Sequence, residues 1–538
     1  MVYYEDNKKK SEGLTSIKYY AFKGIPFAKP PIGDLRFQAP QPNEPWEGIR
    51  NALEEGHQSI QISEMGGNSS LVGSEDCLYL NVYIPELPAN KRSLKPVLFN
   101  IHGGGFALGS GGIQFNNPDY LIENDIVIVS PNYRLGALGF LSLQNDEISG
   151  NAGIKDQILA LKWTQKNIKY FGGDPDNVTI MGISAGSASV EYILLSELSR
   201  GLFKQAICLS GSAHNPWAIN MDPITFANKL ANKIGYTGEL QDVQALQDFF
   251  KSCSAKDIVN NQGNVLTEKE SFLRYKFTFA PCVEQEGKGI KLITKKPRDI
   301  YESGNFIQVP VIKTLTSNEG SLYYYMATNI DEELEKINEN LDMLIPMNMN
   351  VSEDKKFDVS KKIMQYYFQG LPISKSNMES FIDLVSDLTF SIGIDETTNS
   401  IMKHSDDPIF IYFNSYEYSK GMMKTIISMI HPDVEIKGAP HGAEMDLIFK
   451  AYFPGLPPND PTPGDKRKIQ TLTKLLTTFV KTGNPNFEEL DCPPWEPISK
   501  TNKQYLDFGS ELKMVPGRSF EKRLEFWEDL YETYGYIY

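Results

Sequence analysis

Cysteine and histidine are scarce in this chain of 538 residues, which contains five of the former and six of the latter. The cysteines are odd in number and far apart, whereas a disulfide-stapled fold needs an even, recognisably spaced set and a zinc site needs clustered ligands. We therefore expect no disulfide framework, no metal and no cofactor. One pairing, Cys253 with Cys282, is left open.

The chain also lacks an excess of positive charge and any long apolar run. Its net charge is −15 at pH 7, which repels nucleic acid phosphates and anionic lipid. No segment approaches the roughly 20 apolar residues of a membrane span. The basic run at residues 8–10 precedes no apolar stretch, so no signal peptide is expected. These absences predict a cytoplasmic protein with no nucleic acid partner and no membrane span; a secreted form whose leader has been removed is the alternative.

Short apolar runs that end in turn residues predict buried parallel strands. They alternate with helical patterns at 151–170 and 184–198, as in a parallel sheet with right-handed crossovers. The first four candidates are Val97–Ile101, Ile126–Val129, Val178–Ile180 and Ala206–Leu209. We predict an α/β fold with one domain over 1–538. It has a large, mostly parallel central sheet, helices on both faces, and helical insertions at about 215–304 and 332–402.

A G-x-S-x-G pentapeptide, Gly182–Gly186 with Ser184 at its centre, lies between a predicted strand and a predicted helix. Alone the pattern is weak, since chance gives about 0.2 matches in a chain of this composition. Its setting strengthens it, because a sharp strand-to-helix turn lifts the serine oxygen out of the sheet as a nucleophile. The alternative is an ordinary glycine-rich turn with Ser184 as a helix cap.

Three consecutive glycines follow another predicted strand, in the segment His102–Phe106. Glycines leave backbone N–H groups accessible to a developing oxyanion. We expect Gly104 and Gly105 to be donors, together with the N–H of Ala185. The alternative is a flexible linker, but a linker does not usually follow a buried strand and precede an apolar phenylalanine. His102 precedes the serine, so we assign it a structural role, because a G-x-S-x-G triad runs serine, acid, histidine along the chain.

Chain order leaves two candidates for the general base. His441 lies in the glycine- and proline-rich loop 437–442, whereas His431 is equally well explained as a helix-end residue. We favour His441. The acid should follow a core strand and aim at the histidine, as Glu319 does after the strand predicted at 309–316. Its rivals are Glu284, Asp406 and Asp407.

Taken together, these motifs resemble those of the carboxylesterase/cholinesterase family, the type-B carboxylesterases, and most closely the insect α-esterases. The likeness runs from about Tyr19 to the last predicted helix. Beyond the motifs above, it includes FKGIPFA at 22–28, SEDCLYLNV at 74–82, GNAG at 150–153, FGGDP at 171–175 and TGNP at 482–485. So many matches in the same order are highly specific.

The resemblance implies the α/β-hydrolase fold and names roles for residues. It implies a catalytic triad of Ser184, Glu319 and His441, and an oxyanion hole of Gly104, Gly105 and Ala185. It implies an apolar substrate pocket of Trp217, Phe106 and Phe279. It also implies that Ser210 supports the acid and that Arg36 and Glu75 form a buried ion pair.

The chain departs from the family pattern at two informative positions. Ile183 stands where the family usually has glutamate or another polar residue, which makes cationic substrates less suitable. Cys77 lacks its usual upstream partner, because residues 51–76 contain no cysteine.

We therefore expect a carboxylesterase that hydrolyses small uncharged esters with short to medium apolar acyl groups, with a role in detoxifying xenobiotics or insecticides. One alternative is a slow-turnover sequestering protein that is acylated or phosphorylated at Ser184. The other is a non-catalytic binding or adhesion relative.

Overall fold

An 11-stranded sheet forms the centre of the protein. In the computed structural model the described residues are 18–63, 70–88, 94–273, 277–327, 329–418, 420–450, 461–490 and 492–537, with the backbone of two short strands at 2–3 and 5–6. The basic run at 8–10 lies outside them. The strands of the sheet are β1 (Glu5–Asp6), β2 (Tyr20–Pro26), β3 (Tyr79–Ile84), β4 (Lys95–Ile101), β5 (Val127–Pro131), β6 (Gly173–Ile183), β7 (Gln205–Leu209), β8 (Val311–Thr316), β9 (Ile409–Asn414), β10 (Gln504–Phe508) and β11 (Leu512–Pro516).

The strands lie in the order β11-β10-β9-β8-β7-β6-β4-β5-β3-β2-β1. All neighbours from β10 to β5 are parallel, and the pairs at the two edges are antiparallel. The predicted fold class is confirmed. The four strands predicted first all appear in the sheet, with ends that differ by a few residues.

Helices cover both faces of the sheet, because successive side chains of a buried strand point to opposite sides. Val97, Phe99 and Ile101 of β4 pack into one apolar core, whereas Leu98 packs into the other. The helices are α1 (Ile113–Asn116), α2 (Asp119–Ile122), α3 (Gly136–Phe140), α4 (Ala152–Asn167), α5 (Ala185–Leu195), α6 (Pro223–Lys233), α7 (Val243–Ser252), α8 (Ala255–Asn261), α9 (Glu268–Leu273), α10 (Pro297–Ser303), α11 (Leu322–Met326), α12 (Ile330–Glu339), α13 (Glu353–Phe368), α14 (Met378–Ser386), α15 (Ile392–His404), α16 (Met422–Ile430), α17 (Met445–Ile448), α18 (Pro463–Thr482) and α19 (Glu521–Tyr534).

The segments outside the strand–helix alternation are mainly helical. Residues 215–304 contain α6 to α10, and residues 332–402 contain most of α12 and α15 with α13 and α14 between them. A π-helical turn at Asp387–Ser391 connects α14 directly to α15. Within the described ranges, no helix is both long enough and apolar enough to cross a membrane.

The ion pair expected between Arg36 and Glu75 is present. Arg36 donates from Nε and Nη2 to the two carboxylate oxygens of Glu75 at 2.7 and 2.8 Å. Its remaining nitrogen, Nη1, donates to the carbonyl of Cys253 at 2.6 Å. The pair therefore ties the N-terminal segment to the end of α7.

None of the five cysteines, all of which lie in the described ranges, forms a disulfide, so Cys253 and Cys282 are not paired. Cys77, Cys208 and Cys282 are buried, and burial raises the pKa of Cys77 and of Cys282 to about 12 and that of Cys208 further. Because the thiolate is the reactive form, these three thiols should resist modification in the folded protein.

Titration with an aromatic disulfide reagent tests this arrangement. In the absence of reductant, we expect the partly exposed Cys253 and Cys492 to react before the three buried thiols in the folded protein, and all five thiols to react after unfolding. Cys492→Ser should remove one of the early reactions and serves as the control. A total of three reactive thiols after unfolding would show that two cysteines form a disulfide, which would contradict this arrangement.

Candidate active site

Ser184 lies at the sharp turn between β6 and α5. Its φ is 55° and its ψ is −122°, a conformation that costs a non-glycine residue about 1–3 kcal/mol. The turn requires glycine on either side: a Cβ on Gly182 would lie 2.1 Å from the carbonyl oxygen of Gly186, and one on Gly186 would lie 2.2 Å from that of Ile101. Ser184 is partly exposed although Ile183 and Ala185 are buried. The turn therefore presents this one side chain to the site.

Glu319 and His441, which are 122 residues apart, meet beyond the ends of β8 and β9. His441 Nδ1 lies 2.6 Å from Glu319 Oε2, and the two residues are 5% and 0% exposed. The other carboxylate oxygen accepts the N–H of Thr316 at 2.7 Å. A backbone bond from Asn318 to Ala439 fixes the two loops against each other. With Nδ1–H donated to the carboxylate, Nε2 of the neutral ring is free to accept a proton.

The structure gives the rival candidates other partners. His431 follows the last residue of α16, and its Nε2 lies 2.9 Å from the carbonyl oxygen of Tyr324. Glu284 forms a buried ion pair with Lys155. Asp406 and Asp407 lie in the segment that leads into the opposite, N-terminal end of β9. Of the candidates for acid and base, Glu319 and His441 are the two that the structure brings into hydrogen-bond contact with each other.

His102 is buried directly after the end of β4. Its ring stacks on Tyr133 with centroids 4.3 Å apart, and Nδ1 lies 2.8 Å from the carbonyl oxygen of Gly103. Burial lowers the pKa of His102 to about 4. A buried, neutral ring in this position supports the glycine loop, in agreement with the structural role predicted for it.

The glycine loop packs directly against the turn at Ser184. A Cβ on Gly103 would lie 3.2 Å from Cβ of Ser184. Gly104 and Gly105 have φ of 108° and 60°, and among the described residues none accepts a hydrogen bond from their N–H groups. The N–H of Ala185 belongs to the first turn of α5, where helical N–H groups have no intrahelical acceptor. These three amides form a group of free donors beside the serine.

Aromatic rings connect the glycine loop to the histidine. Trp217 is buried and donates from Nε1 to the carbonyl of Thr389 at 2.8 Å. Its ring lies 6.4 Å from that of Phe106 and 5.6 Å from that of Phe390. The ring of Phe390 lies 4.5 Å from that of His441. Trp217 and Phe106 thus belong to an apolar wall that reaches the triad histidine.

Phe390 was missed by sequence reasoning, because it lies inside a helical region that carries no catalytic motif. It belongs to the π-helical turn Asp387–Ser391, and such turns occur frequently at functional sites. The turn lies between α14 and α15 and brings the carbonyl of Thr389 and the ring of Phe390 to the site together. No pattern in the sequence marks this departure from α-helical geometry.

The structure separates Phe277 from Phe279. A Cβ on Gly105 would lie 2.3 Å from the ring of Phe277, so Phe277 covers the glycine loop. Phe279 is 2% exposed and contacts the ring of Phe226 edge-on at 6.5 Å. Of the two rings, the one beside the donors is Phe277, which the sequence analysis did not single out.

A second buried carboxyl group lies next to the triad. Ser210 Oγ lies 2.6 Å from Glu319 Oε1 and 2.8 Å from Glu444 Oε1. Thr314 Oγ1 also donates to Glu444 at 3.0 Å. Burial, and then the charge of Glu319, raises the pKa of Glu444 to about 7. One serine hydroxyl has one proton, so a protonated Glu444 that donates to Ser210 lets Ser210 donate to Glu319.

The raised pKa of Glu444 predicts a pH-dependent stability. A carboxyl group whose pKa is raised in the folded state stabilises that state below the pKa of the unfolded chain, and the stabilisation is lost as the pH rises through about 7. Glu444→Gln mimics the protonated form. Relative to the wild type, we expect the variant to gain about 2–3 kcal/mol of unfolding free energy between about pH 5 and pH 8.

Denaturant unfolding of both proteins at the two pH values measures this gain. Glu44→Gln is the control, because the hydrogen bond and charge of Lys29 lower the pKa of the exposed Glu44, the opposite direction to the shift of Glu444. A stability difference between wild type and Glu444→Gln that is the same at both pH values would contradict the prediction.

Known proteins share this architecture. A profile described as the carboxylesterase family matches residues 6–527. Esterase FE4 of Myzus persicae is 34% identical over 518 residues, covering 94% of this chain and 87% of that protein. Juvenile hormone esterase of Tribolium castaneum is 34% identical over 490 residues, covering 87% and 80%.

One solved structure resembles this chain over the whole fold. The crystal structure of juvenile hormone esterase from Manduca sexta, with OTFP covalently attached, superposes with a TM-score of 0.83 at 28% identity and covers 99% of this chain and 97% of that one. The chain therefore belongs to the carboxylesterase family, has the α/β-hydrolase fold, and is a carboxylic ester hydrolase.

Proposed function

We propose that the enzyme hydrolyses uncharged esters with short to medium apolar acyl groups through an acyl-enzyme formed on Ser184. The observation that carries this proposal is the buried hydrogen bond between His441 and Glu319 at 2.6 Å, in a site where Ser184 occupies a strained turn beside three free amides. A base with an oriented ring, a nucleophile and oxyanion donors are the parts that acyl transfer requires.

In the first half-reaction, Ser184 Oγ attacks the ester carbonyl carbon and passes its proton to Nε2 of His441. Glu319 stabilises the imidazolium that forms and does not take the proton itself. The N–H groups of Gly104, Gly105 and Ala185 donate to the carbonyl oxygen as it becomes an oxyanion. When the tetrahedral intermediate collapses, the bond to the alcohol oxygen breaks and His441 returns the proton to that oxygen.

In the second half-reaction, water attacks the acyl carbon while His441 Nε2 accepts one of its protons. The same three amides hold the oxyanion again. Collapse breaks the bond to Ser184 Oγ, which recovers its proton from His441, and the carboxylic acid leaves. In both half-reactions His441 first accepts a proton from the attacking oxygen and then donates it to the leaving oxygen.

The apolar wall supports the choice of uncharged esters. Trp217, Phe106 and Phe390 form its rings, and the one polar group of Trp217 is already bonded to a carbonyl. Ile183 is buried and supplies no carboxylate beside the nucleophile. A cationic alcohol group would therefore leave water without a compensating charge from this position, which is unfavourable.

The names of the relatives support a carboxylic ester as the natural substrate. Several are named only as esterases, and two that are 34% and 29% identical are named juvenile hormone esterase. A role in the detoxification of xenobiotic or insecticide esters is consistent with the small uncharged substrate class. A protein of the same chemistry that acylates once and then stalls would act as a sequestering agent.

Replacement of the nucleophile tests the mechanism. With a short-chain nitrophenyl ester, we expect Ser184→Ala to lower kcat by about 10⁴-fold or more and to abolish the burst of nitrophenol. The matched control is Ser189→Ala, which removes a buried hydroxyl one turn further along α5 and should retain the burst.

Steady release after the burst supports an esterase, and a burst of one equivalent followed by a stall supports sequestration. Equal activity of Ser184→Ala and the wild type would exclude Ser184 as the nucleophile.

The two phenylalanines near the glycine loop provide a test of acyl selection. Phe277→Ala should open space beside Gly105 and raise kcat/KM for an octanoyl ester relative to a butyryl ester by about tenfold, since each buried methylene is worth about 1–3 kcal/mol of discrimination. Phe279→Ala is the matched control. Because Phe279 packs on Phe226, we expect it to lower stability and leave the ratio nearly unchanged. If this ratio changed only in Phe279→Ala, Phe279 and not Phe277 would be the residue that contacts the acyl group.

A further inference from the structure

A buried ion pair joins the helix that follows the nucleophile to the strand that precedes the acid. Lys313 Nζ on β8 lies 2.8 Å from Glu191 Oε1 in the middle of α5, and the side chains are 1% and 0% exposed. The remaining protons of the ammonium have acceptors in α15, the carbonyl of Ile394 at 3.2 Å and Thr397 Oγ1 at 2.5 Å. The lysine is therefore fully bonded within the protein.

The second carboxylate oxygen of Glu191 holds a loop. Oε2 accepts a hydrogen bond from Ser212 Oγ at 3.0 Å and from the N–H of Ala213 at 2.9 Å. Both donors belong to the turn 210–213, which leaves the end of β7. The Glu191 carboxylate thus accepts four hydrogen bonds. Oε1 accepts from Lys313 and Thr397, and Oε2 accepts from the two donors of this turn.

The turn 210–213 contacts the triad at two points. Ser210 Oγ lies 2.6 Å from Glu319 Oε1, and Ser210 has a φ of 51°, which a residue with a side chain adopts only when other contacts hold it. Gly211 touches the nucleophile turn, because a Cβ there would lie 2.3 Å from the carbonyl oxygen of Ser184. A shift of this turn would therefore displace the groups that contact Glu319 and Ser184.

We propose that Glu191, held in place by Lys313, is a positioning residue for the reaction: through Ser212 and Ala213 it fixes the turn 210–213 against Ser184 and Glu319. The inference rests on the proposed function, in which those two residues are catalytic. Glu191 itself touches no reacting atom. Its effect should appear in kcat, because a misplacement of about 1 Å in the catalytic groups can cost about 10²-fold in rate.

A second buried pair provides a matched control. Lys155 Nζ lies 2.5 Å from Glu284 Oε1, with side chains 3% and 0% exposed, and Glu284 Oε2 accepts the N–H of Leu292 at 2.5 Å. The arrangement is the same as in the Glu191 pair, with one oxygen on a lysine and the other on a backbone amide. It has no hydrogen bond to the turn 210–213 among the described residues.

The experiment compares kcat and KM of the full-length Glu191→Gln and Glu284→Gln variants for a nitrophenyl ester, with thermal unfolding midpoints measured in parallel. We expect both variants to unfold at lower temperature. Glu191→Gln should lower kcat by about tenfold or more with KM within about twofold of wild type, whereas Glu284→Gln should keep kcat within about twofold. Equal kcat in Glu191→Gln and wild type, or an equal loss in both variants, would overturn the proposal.

Removal of the lysine should rescue the first variant. The side-chain amide that Glu191→Gln introduces has one accepting and one donating end, so it must present the donating end either to Lys313 or to the turn. In the double variant E191Q/K313M, the donating end can face Thr397 Oγ1 while the accepting end keeps Ser212 and Ala213. We expect kcat to recover to within about threefold of wild type. Failure to recover would overturn the acceptor role of Glu191.

If Glu191→Gln does not fold, Ser212→Ala carries the test, because it removes one of the two bonds to Oε2 without a change of charge. A several-fold loss of kcat at constant KM supports the proposal, and an unchanged kcat overturns it. A wild-type protein that hydrolyses no ester would overturn the proposed function together with this inference, whereas wild-type activity with unaffected variants overturns the inference alone.

Discussion

Close backbone contact at the carboxyl ends of three neighbouring strands is the constraint on which the rest of the site depends. A Cβ on Gly103, Gly182 or Gly211 would lie 2.8, 2.1 or 2.3 Å from a backbone oxygen of the nucleophile turn. Side chains at these positions would separate β4, β6 and β7 where the turn forms. The absence of Cβ atoms lets the free amides and the turn at 210–213 approach Ser184 from two sides.

Buried charge is the second organising element, and it is expensive unless each group has partners. Glu319 accepts from Thr316 and Ser210 and holds His441, whereas Glu444 reaches the same serine hydroxyl with a pKa raised by burial. Burial therefore favours the protonated form of Glu444, which can donate to the hydroxyl that it shares with Glu319. That hydroxyl then has its own proton available for Glu319.

The sheet carries most of the groups to which the proposed function assigns the chemistry, and the helical segments carry the apolar wall. Ser184 and Glu319 lie at or just after strand ends, and His441 lies in a loop beyond them, whereas Trp217, Phe277 and Phe390 come from segments outside the sheet. The same sheet can therefore be combined with different pocket walls, which fits a family whose members act on different esters. Hydrolysis of carboxylic esters follows from family membership, and under the proposed function the apolar wall of this chain selects which ester is bound.

The sequence by itself determined the fold class, most of the central strands and the positions of Ser184 and the glycine loop. These are local features: apolar runs, turn residues and glycine spacing report backbone conformation within a few residues. Chain order and motif context also led to Glu319 and His441, and the structure places them in hydrogen-bond contact. The choice against Glu284 and His431 was weaker, because several carboxyl groups and histidines had comparable local settings.

Only the tertiary structure decided which distant side chains meet. It placed Phe277 and not Phe279 over the glycine loop, brought Phe390 to His441 through a π-helical turn, and set Glu444 beside Ser210 and Glu191 beside Lys313. None of these contacts has a local signature, because their partners lie tens to hundreds of residues apart. They depend on the packing of the helical segments against the sheet, which sequence patterns record only as burial. The local motifs could therefore be predicted from the sequence, whereas the long-range contacts that hold them in place depend on the fold.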